Sequence, residues 1–570
     1  MNRERIVVIL CIGLIVGLGM ISTIVPWRLT PAGRAYNGMH GFSDDYTGYV
    51  SYIKEGVSGR SWVAIRSLPL PQTPTTIHHF YLWIGYAARF FGVSAPLAYH
   101  LARLVLGAIF VFLVYRLFLS QFGWVDAVLG TLVAFGATSL SWLASPIGGF
   151  GRAWDISTVQ TLSSFPFAVD VSGRATGRPH YLMADILVIS IVLWFLRGKT
   201  HRTNVSVQGL AMSPPRRRGS SLKKYWIPAF AGMTNEATLP TPERLRTNIA
   251  ILVLSFLLGI IHPAFGVIVL FMMAMALVRF PVFAVFSIGG LFSGLLISYW
   301  STHQNPFVSM LAFESYVLYE RIGLGQIWRE VLAFGPVLWL AAAGFVWAIV
   351  VRKTTRGTGL MMYWLMATLL LFFFLFPVFR AERVRFVQSL YFVPMAYGAM
   401  LFFRLLAPRI GRWVTVMGAI LLIAVSVPMY ALALHQTTTN LTDYRVFPTW
   451  IFPTTKQMEA YRWMDKNTPK ESTVLARFEA ANNILLYSHN FVIGNRQGWT
   501  TEAGNGMETA RDNFYLGVMS QVQAAAYLSK NNIRYVYSGY QEREMGDVSR
   551  YPFLSRVFDN GEVTIYVRNI

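Results

Sequence analysis

The sequence predicts a mainly α-helical protein: a polytopic membrane helix bundle followed by a small exported α/β domain. Hydrophobic residues make up 54% of the 570 residues. They occur in long runs rather than at the amphipathic spacing of surface helices, which is typical of membrane spans. These runs stop near residue 436. We therefore expect a transmembrane domain at 1–435 and a soluble domain at 436–570.

The first apolar run extends from Ile6 to Val25, behind Arg3 and Arg5. Pro26 follows it directly, where a removable signal peptide would end in a small-residue cleavage site. We interpret this run as a retained signal anchor with a cytoplasmic N-terminus. Together with the later runs it predicts about eleven spans, and proline at His262-Pro263 predicts an interrupted helix. The expected spans are approximately 6–25, 97–119, 125–144, 180–197, 248–262, 264–280, 282–300, 331–351, 359–379, 386–404 and 413–434.

Much of the net charge of +22 falls in segments that the topology makes cytoplasmic. Arg116, Arg352 and Arg404 are examples, and they lie on the same side of the membrane as the N-terminus. This distribution predicts a membrane protein in contact with membrane lipids, with an exported C-terminal domain and no nucleic-acid partner. The single cysteine, Cys11, lies in the first span, which excludes disulfides in the exported parts and a cysteine metal site.

The segment at about 200–247 is polar and rich in proline and arginine, unlike its neighbours. Its core, from Pro215 to Thr234, resembles the translation of a dispersed bacterial genomic repeat. That resemblance implies an inserted cytoplasmic loop without a role in the fold. Arg216 to Arg218 leave a second interpretation open, a basic loop that binds anionic lipids.

The C-terminal part alternates helical and strand patterns. Helices are predicted at Lys456–Lys466 and Val518–Lys530, and strands at Ser472–Ala476 and Ile533–Tyr537. A hairpin is predicted around Asp559-Asn560-Gly561. This order predicts a small α/β domain with an antiparallel edge. It contains no glycine-rich phosphate loop, so no nucleotide is expected.

Asp44 and Asp45 lie in the first loop that this topology places outside the membrane. Two adjacent carboxylates there can take a proton from an acceptor hydroxyl or hold a divalent cation against a phosphate. The alternative is an ordinary helix cap or turn.

This layout resembles the GT-C superfamily of membrane glycosyltransferases: a signal anchor, an acidic outward loop, further spans and an exported domain. The residues that carry the resemblance are Phe42 to Gly56, Tyr81 to Gly85, Tyr99 to Arg103, Arg178-Pro179-His180, Ile261-His262-Pro263 and Ile533 to Val536. It implies a location in the bacterial inner membrane, a polyprenyl-phosphate sugar donor and a glycan, lipid or protein acceptor on the outer face.

In that superfamily an acidic residue of the first outward loop activates the acceptor, in some cases with a divalent metal. The resemblance therefore implies that either Asp44 or Asp45 is the general base, and we favour Asp45, with Asp44 as its partner or metal ligand. The cofactor prediction is limited to a divalent cation, Mg²⁺ or Mn²⁺.

The anionic head of such a donor needs cationic partners, and arginine suits it because its planar fork binds two oxygens. Arg380, Arg383 and Arg385 lie between spans on the outer side, against the positive-inside bias. A headgroup anchor is the alternative role. Further substrate-binding candidates are Arg103, His180 and His262, for which a structural role is the alternative.

Two other functions stay open at this point. A transporter or flippase predicts ionisable residues near the bilayer centre, and the spans contain few. A non-catalytic scaffold for envelope assembly would keep the helices but lack a cavity that joins Asp44 and Asp45 to the outer arginines.

Overall fold

The structure is a computed structural model that describes most of the chain. The described residues are 3–40, 43–67, 69, 72, 78–137, 174–197, 242–277, 280–303, 327, 331, 334–379, 383–387, 390–427, 451–493 and 502–569, without the side chains of 43, 44, 242–244, 383, 384 and 502–508. The core of the predicted insertion and the predicted domain boundary at 435/436 lie outside these residues. The described chain is mostly helical, with one small sheet near the C-terminus.

The first part of the chain is a helix bundle. Its helices are α1 (Arg3–Arg28), α2 (Ser43–Val57), α3 (His79–Phe91), α4 (Ala95–Leu119), α5 (Trp124–Gly136), α6 (Pro179–Arg197), α7 (Pro242–Ile261), α8 (Pro263–Ala276), α9 (Pro281–Thr302), α10 (Pro336–Val350), α11 (Arg356–Leu370), α12 (Phe392–Ile410) and α13 (Trp413–Ala424). A π-helical turn (Leu371–Leu375) and a 3₁₀ turn (Arg383–Phe386) lie between α11 and α12.

Five of these helices are long and apolar enough to cross a membrane: α1, α4, α6, α9, and α11 with its π-helical turn. Others, such as α8 and α10, are apolar but shorter. The chain is therefore a membrane protein, and the total of about eleven spans stays a prediction. The predicted interruption at His262-Pro263 is confirmed, because α7 ends at Ile261 and α8 begins at Pro263.

The two ends of the bundle differ in composition. One end carries basic residues, including Arg404 of α12, whose Nε lies 3.7 Å from Oδ2 of Asp126 and whose Nη1 donates to the Gln121 carbonyl. At the other end α2 contacts α3 and the start of α6, and the start of α6 contacts the start of α8. Helix α4 has 25 residues and joins the two ends, a rise of roughly 37 Å.

The C-terminal region, residues 451–569, is an α/β unit. Its elements are α14 (Thr455–Asn467), β1 (Thr473–Leu475), α15 (Phe478–Tyr487), β2 (Phe491–Ile493), α16 (Glu502–Leu516), α17 (Gln521–Lys530), β3 (Ile533–Ser538), α18 (Tyr540–Met545), β4 (Leu554–Asp559) and β5 (Thr564–Arg568). The strand order is β2-β1-β3-β5-β4, with β2, β1 and β3 parallel and β4 and β5 antiparallel. The predicted α/β arrangement with an antiparallel edge is confirmed.

The helix starts in this region follow from local hydrogen bonds. Thr454 and Gln457 form a capping box that begins α14. The helix predicted from Val518 begins only at Gln521, because Ser520 and Gln523 form a second capping box. Elements α15, β2, α16 and α18 were not predicted from the sequence.

Candidate functional site

Helices α2 and α3 cross at two glycines. A Cβ atom on Gly56 would lie 2.3 Å from the Leu82 carbonyl oxygen, and one on Gly85 would lie 2.2 Å from the Ile53 carbonyl oxygen. Any larger side chain would push the helices apart, so glycine is required at both positions. The close crossing brings the tyrosines of α2 against the start of α3.

Stacked aromatic rings form the wall of the site. Tyr49 stacks on Tyr81, with ring centroids 4.5 Å apart and an interplanar angle of 11°. Tyr52 stacks on His78 at 5.0 Å and 14°. The Tyr81 hydroxyl lies 2.6 Å from Nδ1 of His180, which links this wall to the start of α6. The wall is rigid because all three tyrosines are buried.

Two helix N-termini meet at this wall. Helix α6 begins at Pro179 and α8 at Pro263, and proline suits the first helical position because its missing N–H would have no partner there. His180 and His262 therefore lie at the two helix starts, where their rings stack with centroids 5.8 Å apart and an interplanar angle of 19°. The dipole at a helix N-terminus favours an anion nearby.

Asp45 lies in the first turn of α2, beside these helix starts. Its Oδ2 pairs with Nη2 of Arg178, the residue before the N-terminal proline of α6. Arg178 also donates from Nη1 to the Tyr181 hydroxyl at 2.9 Å. The Asp45 side chain is 38% exposed, so the ion pair orients the carboxylate without enclosing it.

Arg385 belongs to the same site. It is close enough to His78, His180 and His262 to act electrostatically on all three rings, as Arg178 also does. Burial, with smaller contributions from Arg178 and Arg385, lowers the pKa of His78 to about 4, although the Asp45 carboxylate acts to raise it. His78 is therefore neutral at pH 7 and can donate a hydrogen bond from one ring nitrogen. The structure thus brings Asp45 together with three of the predicted substrate-binding residues, Arg385, His180 and His262.

The other predicted site residues have different positions. The side chains of Asp44 and Arg383, and all of Arg380, lie outside the described residues. Arg103 is buried in α4, where it donates to the Thr176 carbonyl at 2.7 Å and to the Thr23 hydroxyl at 2.9 Å. It thus supports the segment that leads to Arg178. Substrate binding by Arg103, Arg380 and Arg383 stays a prediction.

The divalent cation also stays a prediction. Within the described part of the chain, no group of three or more histidine, cysteine, aspartate or glutamate side chains is arranged to hold a metal ion. Asp45 offers one carboxylate that is already paired with Arg178, and the side chain of Asp44 lies outside the description.

Sequence reasoning gave no role to Arg178, Tyr49 or Tyr81. Arg178 belongs to the motif Arg178-Pro179-His180 that carried the resemblance. Its position before Pro179 could have indicated a role, because a residue before an N-terminal proline lies at a helix start. The tyrosines gave no such signal, because aromatic residues at helical spacing are more often part of a core.

Solved structures resemble this chain over nearly its whole length, although no protein-family model and no curated protein matches its sequence. The oligosaccharyltransferase of Archaeoglobus fulgidus in the apo form is 12% identical, with 99% of this chain and 74% of that chain covered and a TM-score of 0.52. The same enzyme tethered to an acceptor peptide gives the same coverage and identity and a TM-score of 0.51. ArnT from Cupriavidus metallidurans, bound to undecaprenyl phosphate, is 12% identical, with 99% and 98% covered and a TM-score of 0.49.

At these identities the similarity shows the fold alone, and the two oligosaccharyltransferase structures carry that conclusion. This chain has the fold of that oligosaccharyltransferase, and the resemblance to the GT-C superfamily found in the sequence is confirmed for the fold. The chain is a membrane protein of that fold, with a cluster of one carboxylate, two arginines and three histidines at one end of its bundle.

Proposed function

We propose that this protein is an integral membrane glycosyltransferase. It transfers a sugar from a polyprenyl-phosphate carrier to a hydroxyl of a glycan, lipid or protein acceptor at the outer membrane surface. The observation that carries this proposal is the placement of the accessible Asp45 carboxylate beside Arg178, Arg385 and two helix N-termini. The site pairs a base with an anion-binding surface, which is what this transfer needs.

The proposed chemistry divides between the two halves of the site. Asp45 accepts the proton of the acceptor hydroxyl, and the acceptor oxygen attacks the anomeric carbon of the donor sugar. The bond between that carbon and the phosphate oxygen breaks, and its electron pair stays with the phosphate. Arg178 and Arg385 stabilise the charge of the leaving phosphate, and neutral His78 can donate a hydrogen bond to it.

The membrane helices and the C-terminal region complete the proposal. The apolar spans provide a place for the polyprenyl tail at the level where the phosphate would meet the arginines. The basic loops at the opposite end of the bundle support a cytoplasmic location of that end, so that the site and the C-terminal region face outward. Archaeoglobus fulgidus oligosaccharyltransferase, with the same fold, has been solved with a tethered acceptor peptide, which supports transfer to an acceptor molecule.

Mass spectrometry of envelope glycans and lipid-linked sugars tests the proposal. A strain that lacks this protein should lose one glycan modification and accumulate the lipid-linked sugar. The wild-type chain should restore both, and Asp45→Asn should restore neither while it reaches the membrane in normal amounts. If Asp45→Asn restores the glycan, the protein does not use this site for transfer, and transport or scaffolding would explain it better.

A further inference from the structure

Two adjacent asparagines connect the C-terminal region to the segment that carries Asp45. The Thr47 hydroxyl donates to Oδ1 of Asn482 at 2.8 Å, and Nδ2 of Asn37 donates to Oδ1 of Asn483 at 3.2 Å. All four side chains are buried. Asn37 precedes α2 and Thr47 lies two residues after Asp45, so the two bonds bracket the stretch that contains Asp45.

The orientation of both amides is fixed within α15. Nδ2 of Asn482 donates to the Phe478 carbonyl at 2.9 Å, and Nδ2 of Asn483 donates to the Glu479 carbonyl at 3.3 Å. With the NH₂ groups turned back along their own helix, the Oδ1 atoms face outward as acceptors. Consecutive residues on a helix point in different directions, so the two amides reach two separate points of the segment.

Further bonds on both sides support this contact. Oδ1 of Asn37 accepts from the Met39 N–H at 3.1 Å, and the Tyr46 hydroxyl donates to the Asn37 carbonyl at 3.1 Å. Two turns along α2 from Thr47, Nζ of Lys54 donates to the Leu485 carbonyl at 3.2 Å. Helix α15 is therefore bonded to the start of α2, to its end and to the segment before it.

Asparagine is a poor residue for a helix interior, and a buried amide without a partner is costly. Two buried amides in succession thus call for partners, and their Oδ1 atoms accept from α2 and from the segment before it. We infer that Asn482 and Asn483 are positioning residues: they clamp the segment carrying Asp45, so that the C-terminal region sets the place of the proposed base. The inference rests on the proposed function for the role of Asp45, although the clamp itself can be measured without it.

Thr47→Val is the variant that tests the clamp, because valine has the shape of threonine without the hydroxyl that Asn482 accepts. Thr47→Ser keeps the hydroxyl and serves as the rescue. Thr468→Val is the matched control: the Thr468 hydroxyl accepts from Nδ2 of Asn490 at 2.9 Å and donates to the Met464 carbonyl at 2.6 Å, a buried threonine–asparagine pair inside the C-terminal region.

Hydrogen exchange and turnover should be measured on the full-length protein in lipid nanodiscs. In Thr47→Val, backbone amides of 43–57 should exchange about 10-fold faster. Oδ1 of Asn482 would lose the Thr47 donor, and the loss of a buried hydrogen bond destabilises the docked helix. Turnover, followed as glycan product, should fall about 10- to 100-fold through misplacement of Asp45, with affinity for undecaprenyl phosphate unchanged. Thr47→Ser and Thr468→Val should match the wild type in the exchange of 43–57 and in turnover.

Unchanged exchange of 43–57 in Thr47→Val would overturn the clamp, whatever the turnover. Faster exchange with wild-type turnover would overturn the positioning role of the asparagines. If exchange rises as expected but the strain without this protein shows no change in glycans, the proposed function fails and the clamp is upheld.

Discussion

Asp45 in α2 and Glu542 in α18 are both carboxylates in the first turn of a helix, but their surroundings differ. Oε1 of Glu542 accepts from the Arg477 N–H at 2.7 Å, and Oε2 accepts from the Gly539 N–H at 3.0 Å, in a buried position. Asp45 pairs with the Arg178 guanidinium and stays 38% exposed. Both oxygens of Glu542 thus join backbone segments of the same fold, whereas Asp45 remains accessible to another molecule.

The electrostatics of Glu542 support this distinction. Burial raises the pKa of Glu542, and the N–H groups of Arg477 and Gly539 lower it in part. Those N–H groups start α15 and α18, so Glu542 joins two helix starts. A buried acid is therefore not by itself a functional acid. The useful criterion is whether a carboxylate oxygen is accessible to a ligand, and this criterion separates Asp45 from Glu542.

The largest expected effect is that of Asp45→Asn. The amide cannot take the acceptor proton, so turnover should fall by about 10²- to 10⁴-fold. The melting temperature should change little, because the residue is partly exposed. Product formation and thermal unfolding should be measured on the same preparation. Asp126→Asn, at the opposite end of the bundle, is the matched control and should keep wild-type turnover; a loss as large as that of Asp45→Asn would mean that the assay does not report on this site.

Arg178→Lys should have the next largest effect. Arg178 reaches Asp45 and Tyr181 with different nitrogens, a fork that a lysine ammonium cannot reproduce. We expect turnover to fall about 10- to 100-fold, with the melting temperature nearly unchanged. Arg556→Lys, in an exposed ion pair with Asp559, should have no effect on turnover. Wild-type turnover in Arg178→Lys would show that only the charge matters there.

Glu542→Gln tests the other side of the comparison. The glutamine NH₂ group must face one of the two backbone donors, so that one N–H loses its acceptor. The free energy of unfolding should fall by about 1–3 kcal/mol. Turnover per folded molecule should stay at the wild-type value, as measured by product formation after correction for folded protein. A selective loss of turnover would place Glu542 in the chemistry and contradict its structural role.

Much of this architecture was predictable, because it depends on patterns along the chain. Apolar runs predicted the spans, and Asp559-Asn560-Gly561 predicted the hairpin, where Gly561 has a φ of 83°. Helix α15 was not predicted, because Asn482-Asn483 argues against a helix and its stability comes from tertiary contacts with α2.

The site was predictable in part for the same reason. Asp45, His180, His262 and Arg385 could be proposed one by one from charge and topology. Their meeting depends on the crossing at Gly56 and Gly85 and on the two proline-started helices, which no single segment encodes. Asp45, His180 and His262 belong to motifs that carried the resemblance to a family, whereas Arg385 was proposed from its charge and its place between spans.

A smaller effect is expected from pH, through Lys54. Burial lowers the pKa of Lys54 from 10.5 to about 7. The unfolded chain therefore binds more protons between these values, and stability should rise with pH across that window, by at most about 1.4 kcal/mol per pH unit. Lys54→Met should remove this slope in denaturation experiments at pH 7 to 10, and the exposed Lys470→Met should keep it. A slope that persists in Lys54→Met would have to come from another group.

Removal of about 205–236 should have the smallest effect. Helix α6 ends at Arg197, α7 begins at Pro242, and the two helices pack against each other, so a short polar linker can join them. Loop closure becomes slightly more favourable as a loop shortens, which predicts no loss of stability. The join also lies far from Asp45, since the 19 residues of α6 rise roughly 28 Å from the site to Arg197. Turnover and melting temperature should match the wild type.

A variant with Arg216, Arg217 and Arg218 changed to serine, compared in vesicles with and without anionic lipid, distinguishes the two interpretations of this segment. If the serine variant responds less to anionic lipid than the wild type does, the segment binds lipid. If the deletion of 205–236 abolishes transfer in protein that still reaches the membrane, the insertion hypothesis is wrong.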